Sequence, residues 1–335
     1  MRLHALQYLR AVAALAVVYS HSVIQVDAYR PHLAEWGSFG VDIFFIISGF
    51  IMVYISKPSD TPKDFFNNRI KRVVPLYWFF TLLMAAILLA APSVFKTSVF
   101  NWQAFATSLF FIPGYSIANS AVIWPIVAPG WSLNYEMYFY LLFAISLSIS
   151  QAYRILFIAT AITVVFTLSH LIDSSSAIGE FYKNGIVFEF VLGMLLAQMW
   201  KNGYSIPQWA AALCIVGGFV VIFMQLNLPR FFEFGVPAFF VVTGCTYLKT
   251  GANRFFLMLG DSSYALYLSH IFSFGVMRKT LPPMLEDNSH ASLLFVLISI
   301  VFCVAVSIVV HYAVDNWLLR KERLSMFGFA KPKEI

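Results

Sequence analysis

Long apolar segments dominate this sequence and leave few folds open to it. A membrane-spanning helix needs about 20 mostly apolar residues, and ten segments meet that requirement. Only 11% of the residues are charged, against about a quarter in a soluble domain. We therefore predict an all-α, polytopic membrane helix bundle with about ten transmembrane helices, at 6–24, 39–55, 73–91, 131–150, 153–172, 185–200, 208–226, 232–248, 255–276 and 292–314.

The longest connection, residues 92–130, is expected to cap one end of the bundle. Its apolar run Ala104–Ile112 is too short to cross a bilayer, and prolines and glycines interrupt the sequence that follows. We interpret this connection as a surface or re-entrant segment.

The positive charges predict that both termini are cytoplasmic. With the N-terminus inside, sixteen of the 22 Lys and Arg residues fall on the inner side, as the positive-inside rule requires. Because the basic residues are scattered, their expected partner is the lipid bilayer and not nucleic acid. The three cysteines lie far apart in apolar segments, so neither a disulfide nor a metal site is expected, and we expect no bound cofactor.

Ionisable residues inside the predicted spans are the candidate functional groups, because charge within a bilayer is costly. Arg10 and His21 are eleven residues apart, which places them on one helix face about 16 Å apart along the axis. Asp42, Glu136 and His270 fall at a depth similar to that of His21, in the outer half of the membrane. An imidazole beside carboxylates is typical of a general base. For any one of these residues, a purely structural pairing is the alternative.

Two arginines lie in the loop before the third predicted span. Arg69 and Arg72 are three residues apart and are expected to share a face at the cytoplasmic mouth. Paired guanidinium groups suit phosphate, although each arginine could equally be a positive-inside anchor. Trp131 and Tyr135, near the start of the fourth span, could form part of an interfacial aromatic belt.

Signatures of several other enzyme classes are missing from the sequence. It contains no G-x-S-x-G motif, no metal-ligand cluster and no P-loop, so hydrolases, metalloenzymes and ATPases lack support. The main alternative to an enzyme is a transporter or flippase that uses the same buried charges. Against it, no pair of Gly/Pro-broken helices occupies matching halves. A non-catalytic scaffold in polysaccharide export is a third hypothesis.

Five sequence features in order resemble the acyltransferase-3 family of bacterial membrane acyltransferases, and its ExoZ-type exopolysaccharide branch in particular. They are Arg10 and His21 with ten residues between them, GVDIFFIISGF, the R-x-x-R of Arg69 and Arg72, WSLNYEMYFY, and SSYALYLSH. The resemblance covers nearly the whole chain. It implies a transmembrane acyltransferase domain at 1–320, a short basic cytoplasmic tail at 321–335, and a multi-pass position in the bacterial inner membrane.

The resemblance also implies an activity and roles for residues. Such proteins move an acyl group, usually acetyl, from cytoplasmic acyl-CoA to a hydroxyl of a saccharide that is lipid-linked or presented at the membrane surface. His21 matches the family's essential histidine and Glu136 its acidic residue, while Arg10, Arg69 and Arg72 match its arginines.

The chemistry of the residues agrees with that activity. CoA carries phosphates, so it should bind at the inner mouth, where Arg69 and Arg72 are expected. A thioester needs only a base for the acceptor hydroxyl and donors for the oxyanion. We assign the base to His21, oriented by Asp42 or Glu136. Four further candidates could contact the substrate or the oxyanion, namely Trp131, Tyr135, Tyr267 and His270.

Overall fold

The computed structural model describes residues 3–26, 36–92, 95, 98–173, 175–281 and 289–315. Most of these residues are helical, and within them the β-pairing is an isolated bridge between Tyr115 and Ile123. The predicted tail, 321–335, lies outside the described residues. The helices are α1 His4–Ile24, α2 Phe39–Ile55, α3 Pro62–Ala90, α4 Trp102–Leu109, α5 Trp131–Ser146, α6 Arg154–Ser169, α7 Ala177–Tyr182, α8 Glu189–Lys201, α9 Gln208–Met224, α10 Val236–Tyr247, α11 Arg254–Asp261, α12 Ser263–Thr280 and α13 Ser289–Val310.

The prediction of an all-α fold is confirmed over the described residues, and each of the ten predicted apolar segments contains a helix. Within the part of the chain that the structure describes, three helices are long and apolar enough to cross a membrane by length and composition, at Pro62–Ala90, Gln151–Ser169 and Ser292–Ala313. Large apolar side chains are exposed along several helices, as a lipid environment allows, for example Leu213, Val216 and Val220 on α9. The chain is therefore a membrane protein.

The third predicted segment begins in the wrong place. We expected a helix from residue 73, with Arg69 and Arg72 in the preceding loop, but α3 begins at Pro62. Thr61 caps it, because the Asp64 backbone N–H donates to the Thr61 hydroxyl over 3.1 Å, and a proline at the first helical position suits the start of a helix. Both arginines therefore lie within a helix.

The ninth predicted segment is divided into two helices. Asn253 caps α11 by accepting from the backbone N–H of Phe255, and α11 ends at Asp261, just before α12 begins at Ser263. Gly260 explains how closely α11 can approach α1. A Cβ at this position would lie 2.3 Å from the backbone oxygen of Gln7, so only glycine allows the contact.

The chain divides into two compact units. The first contains the described residues within 3–47 and 199–315. In it, α1 packs against α10, α11, α12 and α13, while α9 packs on α10 and α12 on α13. The second contains the described residues within 48–198. In this unit α3 packs against α4 and α5, and α5 against α6, with Gly49 closely apposed to the backbone of Phe190.

Candidate active site

Two histidines of the first unit lie side by side. His21 is in the last turn of α1 and His270 is in the middle of α12. Their ring centroids are 4.9 Å apart and their planes are inclined by 48°. The sequence placed these residues at a similar depth, and the packing of α1 on α12 brings their rings together.

The backbone orients both imidazoles in the same way. Nδ1 of His21 lies 2.9 Å from the carbonyl of Val17, and Nδ1 of His270 lies 3.2 Å from that of Leu266. Because a carbonyl oxygen can only accept, we assign the hydrogen to Nδ1 in both rings. Nε2 is then the basic nitrogen of each neutral imidazole.

The two rings differ in exposure. His21 is partly exposed, whereas His270 is fully buried and its Nε2 has no hydrogen-bond partner among the described residues. The ring of Tyr267, itself buried, lies 6.2 Å from that of His270. A buried polar atom without a partner is uncommon and calls for a chemical explanation.

Arg10 connects α1 to the start of α12. Its guanidinium group donates to the hydroxyl of Ser263 over 3.1 Å and to Oε1 of Gln7 over 3.3 Å. Beside it, the Gln7 amide donates to Asp261 over 2.6 Å. These contacts join one end of α1 to α11 and α12. The two histidine rings meet further along α1 and α12.

Asp42 has a different partner from the one we expected. Its carboxylate is fully buried and accepts from Nη2 of Arg230 over 2.6 Å, and the same nitrogen donates to the carbonyl of Ser38. The ion pair accounts for the buried negative charge. His21 is oriented at Nδ1 by the Val17 carbonyl.

The second unit contains a cluster built on Glu136. The hydroxyl of Tyr140, one helical turn further along α5, donates to Oε1 of Glu136. The hydroxyl of Ser48, on α2, donates to the same oxygen over 3.3 Å and lies 3.4 Å from the Tyr140 oxygen. Two hydroxyl donors thus fix a carboxylate that is only partly buried.

Arg69 belongs to this cluster. Its side chain is only 5% exposed, its Cζ lies 5.6 Å from the ring centroid of Phe65 and 6.0 Å from that of Tyr140, and it interacts electrostatically with Glu136. Arg72 is partly exposed. From the sequence we expected the two arginines to form a pair at the cytoplasmic mouth. In the structure their environments differ.

The two aromatic candidates on α5 have structural partners. Tyr135 is 2% exposed, its ring stacks on that of Phe181 with centroids 3.9 Å apart, and its hydroxyl donates to the Phe181 carbonyl. Trp131 packs edge-on against Tyr135 at 6.0 Å. Packing contacts therefore account for the positions of both side chains.

Sequence reasoning missed Tyr140, Ser48 and Arg230 as partners of the candidate carboxylates. The i, i+4 spacing of Glu136 and Tyr140 was a usable local signal. The pairing of Arg230 with Asp42 joins residues 188 positions apart, so no local sequence pattern predicts it.

The sequence comparisons identify the family to which the chain belongs. The profile of the acyltransferase-3 family, described as an acyltransferase domain, matches residues 3–312. The chain belongs to this family and is an acyltransferase of the membrane. It is 37% identical to the exopolysaccharide production protein ExoZ of Rhizobium meliloti over 254 residues, 72% of this chain and 78% of ExoZ.

A second relative is the acyltransferase MdmB of Streptomyces mycarofaciens. It is 27% identical over 313 residues, which cover 81% of this chain and 78% of MdmB. No solved structure matches the chain significantly.

Proposed function

We propose that this protein is an acyl-CoA-dependent O-acyltransferase that moves an acyl group, acetyl in the first instance, to a hydroxyl of a saccharide. The observation that carries the proposal is the histidine pair, in which each Nδ1 is bound to the backbone and Nε2 is left as the base. The similarity to a protein named for exopolysaccharide production supports the saccharide.

The proposed chemistry needs one base and no metal. Nε2 of His21, on the more exposed of the two rings, takes the proton of the acceptor hydroxyl. The hydroxyl oxygen then attacks the thioester carbonyl and forms the ester bond as the C–S bond breaks. The thiolate of CoA leaves and receives the proton that His21 removed, so the imidazole returns to its starting state. We propose that His270 and Tyr267 lie next to the reacting atoms.

The donor is proposed to bind through its phosphates. Arg72 is the better exposed member of the arginine pair, and its guanidinium group can bind a phosphate through two hydrogen bonds. Arg10, on α1, is a further basic group proposed to bind the donor. Trp131 and Tyr135 are proposed as further contacts to the substrate or the oxyanion.

We further propose ten membrane crossings, both termini in the cytoplasm, and location in a bacterial inner membrane. The bias of the basic residues supports this orientation. A cysteine at Asn119, which is exposed, should then react with an impermeant thiol reagent added outside intact cells. A cysteine at the exposed Asn67 should react only after the membrane is opened, and its labelling from outside would reverse the orientation.

The direct test is transfer by the purified protein in lipid nanodiscs. We expect release of free CoA from acetyl-CoA, and gain of one acetyl mass on an isolated cell-surface oligosaccharide measured by mass spectrometry. Empty nanodiscs are the control. Transport of the oligosaccharide across proteoliposomes without any acetylation would favour the transporter hypothesis and overturn the proposal.

A further inference from the structure

The two arginines of α3 differ in a way that bears on their chemistry. Asn67 and Lys71, which flank Arg69 on the same helix, are exposed, whereas the Arg69 side chain is 5% exposed. A group that captures the phosphates of a soluble donor must be reachable from water. Of the pair, Arg72 meets that condition better in the structure.

The surroundings of Arg69 identify its partner. Its guanidinium group lies over the rings of Phe65 and Tyr140. It is attracted electrostatically by the Tyr140 hydroxyl and by Glu136, and repelled by Arg72. A buried charge is stable only when an opposite charge and hydrogen bonds compensate it. Glu136 supplies the negative charge, and Tyr140 contacts both groups, the carboxylate through its hydroxyl and the guanidinium group through its ring.

Three helices contribute to this arrangement. Ser48 comes from α2, Arg69 from α3, and Glu136 and Tyr140 from α5, and α3 packs directly on α5. Ser48 and Tyr140 both donate to Oε1 of Glu136. One carboxylate oxygen is therefore held by two hydroxyls while a buried cation balances its charge.

We infer that Arg69 is the buried counter-ion and positioning residue of Glu136, with Tyr140 as the connecting donor, and that it is not a ligand of the donor's phosphates. The inference rests on the proposed function only in taking CoA as the donor. The inference gives different roles to two arginines that are equivalent in the sequence motif. Arg69 positions the Glu136 carboxylate, and Arg72 binds the donor.

Matched substitutions on α3 test this division. Purified Arg69→Met and Arg72→Met are compared for CoA affinity by isothermal titration calorimetry, and for kcat and KM with acetyl-CoA. Loss of phosphate hydrogen bonds at Arg72 should weaken CoA binding about tenfold or more. Arg69→Met should leave CoA affinity within about twofold and lower kcat. Arg69→Lys, which keeps the charge, should recover part of kcat.

A double-mutant cycle tests the interaction between Arg69 and Glu136, and it does so whether or not CoA is the donor. Arg69→Met and Glu136→Gln are each expected to lower the thermal unfolding temperature. The double variant should be more stable than the sum of the two losses predicts, because it leaves no unpaired buried charge. Additive losses, or a loss of CoA affinity in Arg69→Met equal to that in Arg72→Met, would overturn the inference. Absence of CoA binding by the unaltered protein would instead count against the proposed donor alone.

Discussion

The histidine pair of α1 and α12 and the Glu136 cluster of α2, α3 and α5 are held in place by different means. Each imidazole is fixed by the carbonyl of the residue four positions earlier on its own helix. Glu136 is fixed by side chains, namely the hydroxyls of Ser48 and Tyr140 and the charge of Arg69. A backbone anchor survives changes in neighbouring side chains, whereas a side-chain network is lost with any of its members.

The difference fits the charge that each cluster must carry. A general base must be neutral before the reaction and charged after it, and a carbonyl accepts a hydrogen bond from Nδ1 in both states. An ionised carboxylate in an apolar bundle needs a permanent opposite charge. The two clusters should therefore respond differently to mutation.

The largest expected effect is at the backbone-held cluster. His21→Ala should lower the transfer rate by about 10²–10⁴ while the protein still folds, since the imidazole is bonded to its own helix and removing it leaves no buried charge. Turnover of acetyl-CoA by the purified variant measures this. His170→Ala is the matched control, because His170 has the same Nδ1 contact with the carbonyl four residues earlier but is exposed, directly after the end of α6. Near-normal turnover by His21→Ala would show that His21 is not the general base.

The next effect concerns the ion pair in the same unit as the histidines. Arg230→Met should destabilise the protein by about 3 kcal/mol, towards the lower end for a broken buried pair, because Asp42 is fully buried while Arg230 is 28% exposed. Thermal unfolding in detergent followed by circular dichroism measures it. Asp42→Asn combined with Arg230→Met should recover much of the stability. If neither single change altered stability, the pair would not be structural.

The smallest effects should separate the two hydroxyl donors of Glu136. Tyr140→Phe removes a hydrogen bond to a charged group and should cost about 1.5–3 kcal/mol. Ser48→Ala should cost less, about 0.5–1.5 kcal/mol, because its hydroxyl lies at 3.3 Å from the carboxylate. Tyr135→Phe is the control, since it removes a hydroxyl that is bonded to a backbone carbonyl outside the cluster. Equal stability of all three variants would mean that side chains do not hold Glu136.

Some features of the fold were readable from short stretches of sequence. The ten apolar segments predicted helices because burial of the backbone in lipid requires hydrogen bonds within each segment. The start of α3 was misplaced because residues 62–72 are polar and hydropathy discounts them, although Thr61, Pro62 and Asp64 form a recognisable helix start. The break between α11 and α12 depends on packing against α1, which hydropathy does not describe.

For the candidate site, the sequence by itself determined which ionisable residues the membrane segments must accommodate. Arg10 and His21 are eleven residues apart, and Glu136 and Tyr140 are four residues apart. Helical geometry alone therefore places the two members of each pair on one face of their helix. Only the tertiary structure decided their partners. His21 meets His270 across 249 positions of sequence, and Asp42 meets Arg230 across 188. The physical reason is that a periodic pattern fixes the face of a helix on which a side chain lies, whereas the residue opposite that face depends on which helix packs there.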